Sequence, residues 1–167
     1  RLPEDEIEKQ ENIKKQKEVF IAQIEFAKKV KKPLIVHIRE ASNDSRQILV
    51  DYNAKEVGGV LHCYNASEHL LILAEHNFYF GIGGVLTFKN AKKLVEVLPK
   101  IPKDKLLIET DAPYLTPHPH RGERNEPYYT VFVAQKMAEL LEINEDEIQK
   151  LTTNNAKKLF KEFSSLS

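Results

Sequence analysis

The sequence holds a single cysteine, Cys63, so no intrachain disulfide can brace it. A reducing cytoplasm is the expected setting. It also holds no excess charge of either sign, because 25 Lys+Arg stand against 25 Asp+Glu. That excludes a broadly basic face for gathering nucleic acid; any such contact must come from local groups in a site. No apolar run approaches the roughly 18 residues of a membrane-spanning helix. The first residues, Arg1 to Glu6, lack the basic start and apolar stretch of a secretory signal. They also lack an initiator Met, and the expectation drawn from this is a chain that starts partway through a gene product.

What is present is an ordinary globular composition, 41% hydrophobic and 30% charged, in a chain long enough at 167 residues for one domain with a sizeable core. Four short runs, 33–38, 58–64, 78–84 and 106–111, are almost continuously apolar instead of alternating. Strands of a parallel sheet covered on both faces read this way. The spacing of Ile13, Phe20, Ile24 and Ala27 predicts a helix over 6–32 with those residues on its buried face. Shorter helices are expected over 42–53, 67–76 and 89–98. Pro127 suits the first residue of a helix running to 142, with Val131, Ala134, Ala138 and Leu141 inward. Asn144 and Glu147 read as a capping box opening a last helix that ends near Phe163, before a frayed Ser-rich tail. Strands alternating with helices mean a parallel α/β architecture. The longest irregular stretch, 112–126, follows the fourth strand, where α/β folds build their active sites.

Three residues carry chemistry by position. His37 and His62 fall near the ends of the first and second strands, and Asp111 at the end of the fourth. In a parallel sheet all three reach the same edge. Two imidazoles and a carboxylate suit Zn²⁺, Mn²⁺ or a similar divalent ion and leave room for water. The plainer readings are hydrogen-bonded structural histidines, and a turn-capping role for Asp111 ahead of Pro113.

The segments Pro33-Leu34-Ile35-Val36-His37-Ile38-Arg39, Gly59-Val60-Leu61-His62-Cys63-Tyr64 and Gly81-Ile82-Gly83-Gly84 resemble the TatD family of metal-dependent deoxyribonucleases. So do Leu106-Leu107-Ile108-Glu109-Thr110-Asp111-Ala112-Pro113-Tyr114-Leu115, and Pro117-His118-Pro119-His120-Arg121-Gly122 with Arg124-Asn125-Glu126-Pro127. The resemblance implies a (β/α)₈ TIM barrel of the amidohydrolase type. It places His37 on the fifth strand, His62 on the sixth and Asp111 on the eighth, with Gly81 to Gly84 ending the seventh. The family's first-strand His-x-His and its Gly-Glu-x-Gly-Leu-Asp run are not in this sequence. The chain is therefore expected to be the C-terminal half of the barrel, strands five to eight. Its partner would be a missing N-terminal half of roughly 80–100 residues, and alone it would be inactive.

The resemblance further implies hydrolysis of DNA phosphodiester bonds, from single strands or 3′ ends, with one or two Mg, Mn or Zn ions. His37, His62 and Asp111 would be metal ligands, and Asp111 would also orient and deprotonate the attacking water. Arg39, His120 and Arg121 are the expected substrate contacts, although Arg39 equally suits a salt bridge. Glu109 could orient a His ring or pair with an arginine. Arg124 and Asn125 are expected to pin their loop. His118 with His120 is a poor metal pair between prolines, and His69 and His76 read as surface residues. Cys63, by strand alternation, should pack away from His62 into the helical layer. Another amidohydrolase-type chemistry on amides, esters or phosphoesters, or a non-catalytic half-barrel, stays open.

Overall fold

The structure is a computed structural model that describes residues 4–161. Four parallel strands form one sheet, β1 (Leu34–His37), β2 (Gly59–His62), β3 (Phe78–Ile82) and β4 (Leu106–Ile108), in the order in which they occur in the chain. Leu34 pairs with Gly59, Gly59 with Phe78 and Phe80 with Leu106, so the C-terminal strand ends share one edge. Among the described residues five α-helices accompany the strands: α1 (Glu4–Val30), α2 (Ser42–Asp51), α3 (Lys92–Val97), α4 (Thr130–Leu141) and α5 (Glu145–Leu159).

One face of the sheet is covered by helices and the other is covered only over β2 to β4. Val36, Leu61, Phe78, Phe80, Ile82 and Leu106 pack against Ile24, Leu49, Leu70, Leu73, Val133 and Met137 from the surrounding helices. Fully burying a side chain such as Phe78 or Phe80 contributes about 1.5–3 kcal/mol. On the other face Val60, Tyr79 and Leu107 lie under Leu159, with Ala156 and Phe160 beside it. Ile35, the register partner of Val60, is 68% exposed at the β1 edge. Asn155 of α5 is buried and donates to the carbonyls of Lys103 and Leu106 at 2.9 and 2.8 Å, which ties α5 to the start of β4. Among the described residues no helix is long and apolar enough to cross a membrane.

Several sequence expectations are corrected. Only the last turns of α1 bury the expected face: Ile24 and Ala27 are inside, whereas Ile13 is 43% exposed. The helix meets the body mainly at α2 and residues 54–56, and its earlier turns have only surface ties such as Lys17 to Asp44 at 2.6 Å. The segment Glu68–His76 winds as a 3₁₀ helix, which suits Leu70 and Leu73 because a three-residue repeat puts both inward. The helix expected over 89–98 shortens to α3 and continues into a 3₁₀ turn at Leu98–Lys100. Pro127 opens a 3₁₀ turn, Pro127–Tyr129, ahead of α4. The buried face of α4 centres on Val133, Ala134, Met137 and Ala138, rotated from the expected Val131–Leu141 line. Asn144 caps α5 by accepting from the Asp146 N–H at 2.8 Å, so the reciprocal pairing with Glu147 is not what closes the turn. The expected end near Phe163 and the Ser-rich tail lie outside the described residues.

Candidate metal centre

His37 and His62 end neighbouring strands and are register partners. Their ring centroids are 6.0 Å apart, inclined at 54°. Immediately after His62 the backbone of Cys63 turns left-handed, with φ 49°, and ends β2. Asp111 was expected on the fourth strand, but β4 stops at Ile108 and Asp111 stands three residues beyond it. The reason lies in the run itself. The apolar residues end at Ile108, and the polar Glu109-Thr110-Asp111 leaves the sheet after one last backbone bond, Glu109 N–H to Ile82 O at 3.1 Å. The three residues nevertheless gather at one edge of the sheet.

His62 lies between two carboxylates. Its Nδ1 is 2.7 Å from Glu109 Oε2, and its Nε2 is 3.4 Å from Asp111 Oδ1. The other Glu109 oxygen accepts the Cys63 backbone N–H. Burial works against charge on His62, but the Glu109 hydrogen bond and the charges of Glu109 and Asp111 outweigh it, so the imidazole pKa is raised. Burial likewise pushes the Glu109 carboxyl up, against the pull of His62 and the Cys63 amide. The Glu109 side chain is 15% exposed, and that of Asp111 43%.

The donor types fit a borderline divalent cation. Two ligands with bonds of about 2.1 Å at a tetrahedral angle stand about 3.4 Å apart, which is the separation of His62 Nε2 and Asp111 Oδ1. Among the described residues no three His, Cys, Asp or Glu side chains are arranged to hold an ion by themselves. The fit is thus a pair at ligand spacing with His37 one strand away, short of a closed cage.

A cavity of about 330 Å³ opens beside His37. Arg39, Asn90 and Lys93 line it, above an apolar floor that includes Tyr64 and Leu94. Neither Arg39 nor Lys93 forms a salt bridge within 4 Å among the described residues, although the charge of Lys93 is felt by Glu68. Cys63 also lines this cavity. It was expected in the helical layer, but strand alternation stops at its left-handed backbone.

The loop 112–126 places the remaining candidates elsewhere. The Arg121 guanidinium lies 3.8 Å from the centre of the Phe88 ring and donates to Thr116 O at 3.4 Å. The His120 ring stacks on Tyr129 at 4.4 Å, tilted by only 2°, with Nδ1 3.0 Å from Glu123 Oε2. Both are expected substrate contacts, and in the structure each also has partners that hold the loop. His118 packs edge-on against Phe88, away from any pairing with His120. Asn125 is buried and donates to Tyr114 O at 2.6 Å, pinning the turn after Asp111. Two positions near these residues were not singled out from the sequence. Lys93 carried no signal among so many lysines. Gly81, inside a strand, carried the general signal of a close approach, because a Cβ there would overlap the Glu109 carboxylate.

Residues 4–161 match the family described as TatD related DNase. The chain belongs to that family. The TatD-related chain is 52% identical over 147 residues to the uncharacterized metal-dependent hydrolase YabD of Bacillus subtilis (strain 168), covering 87% of itself and 58% of that protein. It is 40% identical over 147 residues to the uncharacterized metal-dependent hydrolase YcfH of Escherichia coli (strain K12), covering 87% of itself and 56% of that protein. The crystal structure of YJJV, a TatD homolog from Escherichia coli K12, superposes with a TM-score of 0.76 at 29% identity, over 82% of this chain and 53% of that one. The chain thus spans a little over half the length of the curated relatives it matches.

Proposed function

We propose that this TatD-related chain contributes to a divalent-metal-dependent hydrolase of DNA phosphodiester bonds, acting on single strands from a 3′ end. The observation that carries the reading is His62 set at ligand spacing from Asp111, with His37 its register partner. His37, His62 and Asp111 would hold one or two ions of Mg, Mn or Zn. When bound, such an ion supplies positive charge at the scissile phosphate and lowers the pKa of water. Asp111, the more exposed of the two carboxylates around His62, would orient the attacking water and take its proton. Arg39 and Lys93, which line the cavity beside His37, receive the phosphate backbone. His120 and Arg121 would also meet substrate, from the loop that their partners hold.

We further propose that the four strands are strands five to eight of a (β/α)₈ barrel whose other half brings additional ligands. The chain's 58% share of YabD and its exposed β1 edge support this. The lone, half-buried thiol of Cys63 suits a reducing cytoplasm.

The test is to incubate the whole protein containing this chain with 3′-labelled single-stranded DNA and Mg²⁺ or Mn²⁺. Stepwise release of nucleotides, abolished by chelator and by a blocked 3′ end, is expected. Turnover of amide or carboxylic ester substrates with DNA left intact would overturn the nuclease reading in favour of another amidohydrolase-type chemistry.

A further inference from the structure

We infer that Glu109 is a positioning residue that decides which ring nitrogen of His62 faces Asp111, and that Gly81 leaves the space this requires. The inference concerns the same site and gains its catalytic meaning from the metal reading above.

The argument begins with what surrounds the Glu109 carboxylate. One oxygen accepts from the backbone N–H of Cys63, a group that can only donate. The other is 2.7 Å from His62 Nδ1. An ionised carboxylate has no proton to give, so the hydrogen on that contact belongs to Nδ1. The neutral ring is then the Nδ1–H tautomer, and the lone pair sits on Nε2, the atom 3.4 Å from Asp111 Oδ1. A ligating imidazole needs that arrangement, with one nitrogen held by an acceptor and the other bare.

The site requires two acceptors at once, which makes the residue choice narrow. A glutamine has one acceptor oxygen and a donating NH₂ group. With its oxygen on the Cys63 amide, its NH₂ would donate to Nδ1 and move the ring hydrogen to Nε2, toward Asp111. An aspartate is one methylene shorter. Gly81 completes the arrangement from β3. A Cβ built on it would overlap Glu109 Oε2 and Cδ and lie 3.1 Å from Leu61 O. Glycine inside a strand costs roughly 0.5–1 kcal/mol relative to alanine, so its presence there calls for such a reason. Glu109 and Gly81 are bound into one device because the carboxylate occupies the volume a β3 side chain would fill.

The experiment is nitrogen-15 NMR of the histidine rings in the whole protein containing this chain and in its Glu109→Gln and Gly81→Ala variants, metal-free and at a pH where the rings are neutral, followed by Mn²⁺ and Zn²⁺ titration. The wild-type His62 is expected as the Nδ1–H tautomer. In Glu109→Gln it should switch to Nε2–H, with circular dichroism unchanged and metal affinity lower by about 10–100-fold. Gly81→Ala should reproduce the loss; if it fails to fold, Glu109→Gln decides alone. A Glu109→Gln chain that keeps the wild-type tautomer and metal affinity overturns the inference. A tautomer switch in a chain whose wild type binds no metal upholds the role of Glu109 and sinks the metal reading instead.

Discussion

His62 Nε2 and Asp111 Oδ1 face each other across 3.4 Å, one from the end of β2 and the other from the polar segment that leaves β4. Asp111 is partly exposed and makes no other polar side-chain contact among the described residues. Replacing it with asparagine should therefore change stability by less than about 1 kcal/mol. In the whole protein containing this chain, release of nucleotides from DNA should fall by at least about 100-fold, beyond what losing an outer-shell partner costs. Thermal denaturation and turnover are measured on the same Asp111→Asn preparation. Loss of both together would reduce Asp111 to a structural role.

The paired His62 also makes metal-free stability depend on pH. Its pKa is raised on folding, so the stabilisation from Glu109 and Asp111 is full below the ordinary value of about 6.5. It is lost as pH rises through the raised folded value. With chelator present, wild type should exceed His62→Gln in stability by more at pH 6 than at pH 9. An equal gap in urea unfolding at the two pH values would rule this out.

Arg39 and Lys93 should declare themselves through salt. Each phosphate contact on a single strand contributes a slope of about 0.7 in log affinity against log salt. Fluorescence anisotropy of a labelled oligonucleotide, in chelator, should show Arg39→Gln and Lys93→Gln each flattening the slope by about that amount. Lys136→Gln serves as the control, since Lys136 pairs with Glu139 at 2.9 Å and lies off the cavity. Unchanged slopes for Arg39 and Lys93 would remove them from the substrate path.

Asn155 joins α5 to β4 through two buried carbonyls, while its own Oδ1 has no partner. Asn155→Ala leaves both acceptors with fewer bonds and should cost about 2 kcal/mol, read as a lower urea midpoint with an unchanged m-value. A shift near zero would mean the unpartnered oxygen already cancels the two hydrogen bonds.

The strands and the two histidines were legible because apolar runs and their ends are local features. Asp111 was expected on the fourth strand and stands three residues beyond its end. The polar Glu109-Thr110-Asp111 already marked the chain's exit from the sheet, and the strand was extended through it. Cys63 escaped because alternation has no force once the backbone turns left-handed. His120 and Arg121 depend on Tyr129 and Phe88, partners supplied by other segments that no local pattern announces. The Gly81–Glu109 fit lies in the same class, a contact between adjacent strands visible only once their register is known.

That register has a consequence of its own. β1 reads Leu-Ile-Val-His and β2 Gly-Val-Leu-His, so apolar alternation gives these strands little to choose one alignment over its neighbours. His37 opposite His62 breaks the degeneracy. Slipping either strand by one residue would turn an imidazole to the opposite side and separate the pair. Cation uptake at this edge would then act as a proofreader of assembly, drawing the population toward the single alignment that can bind.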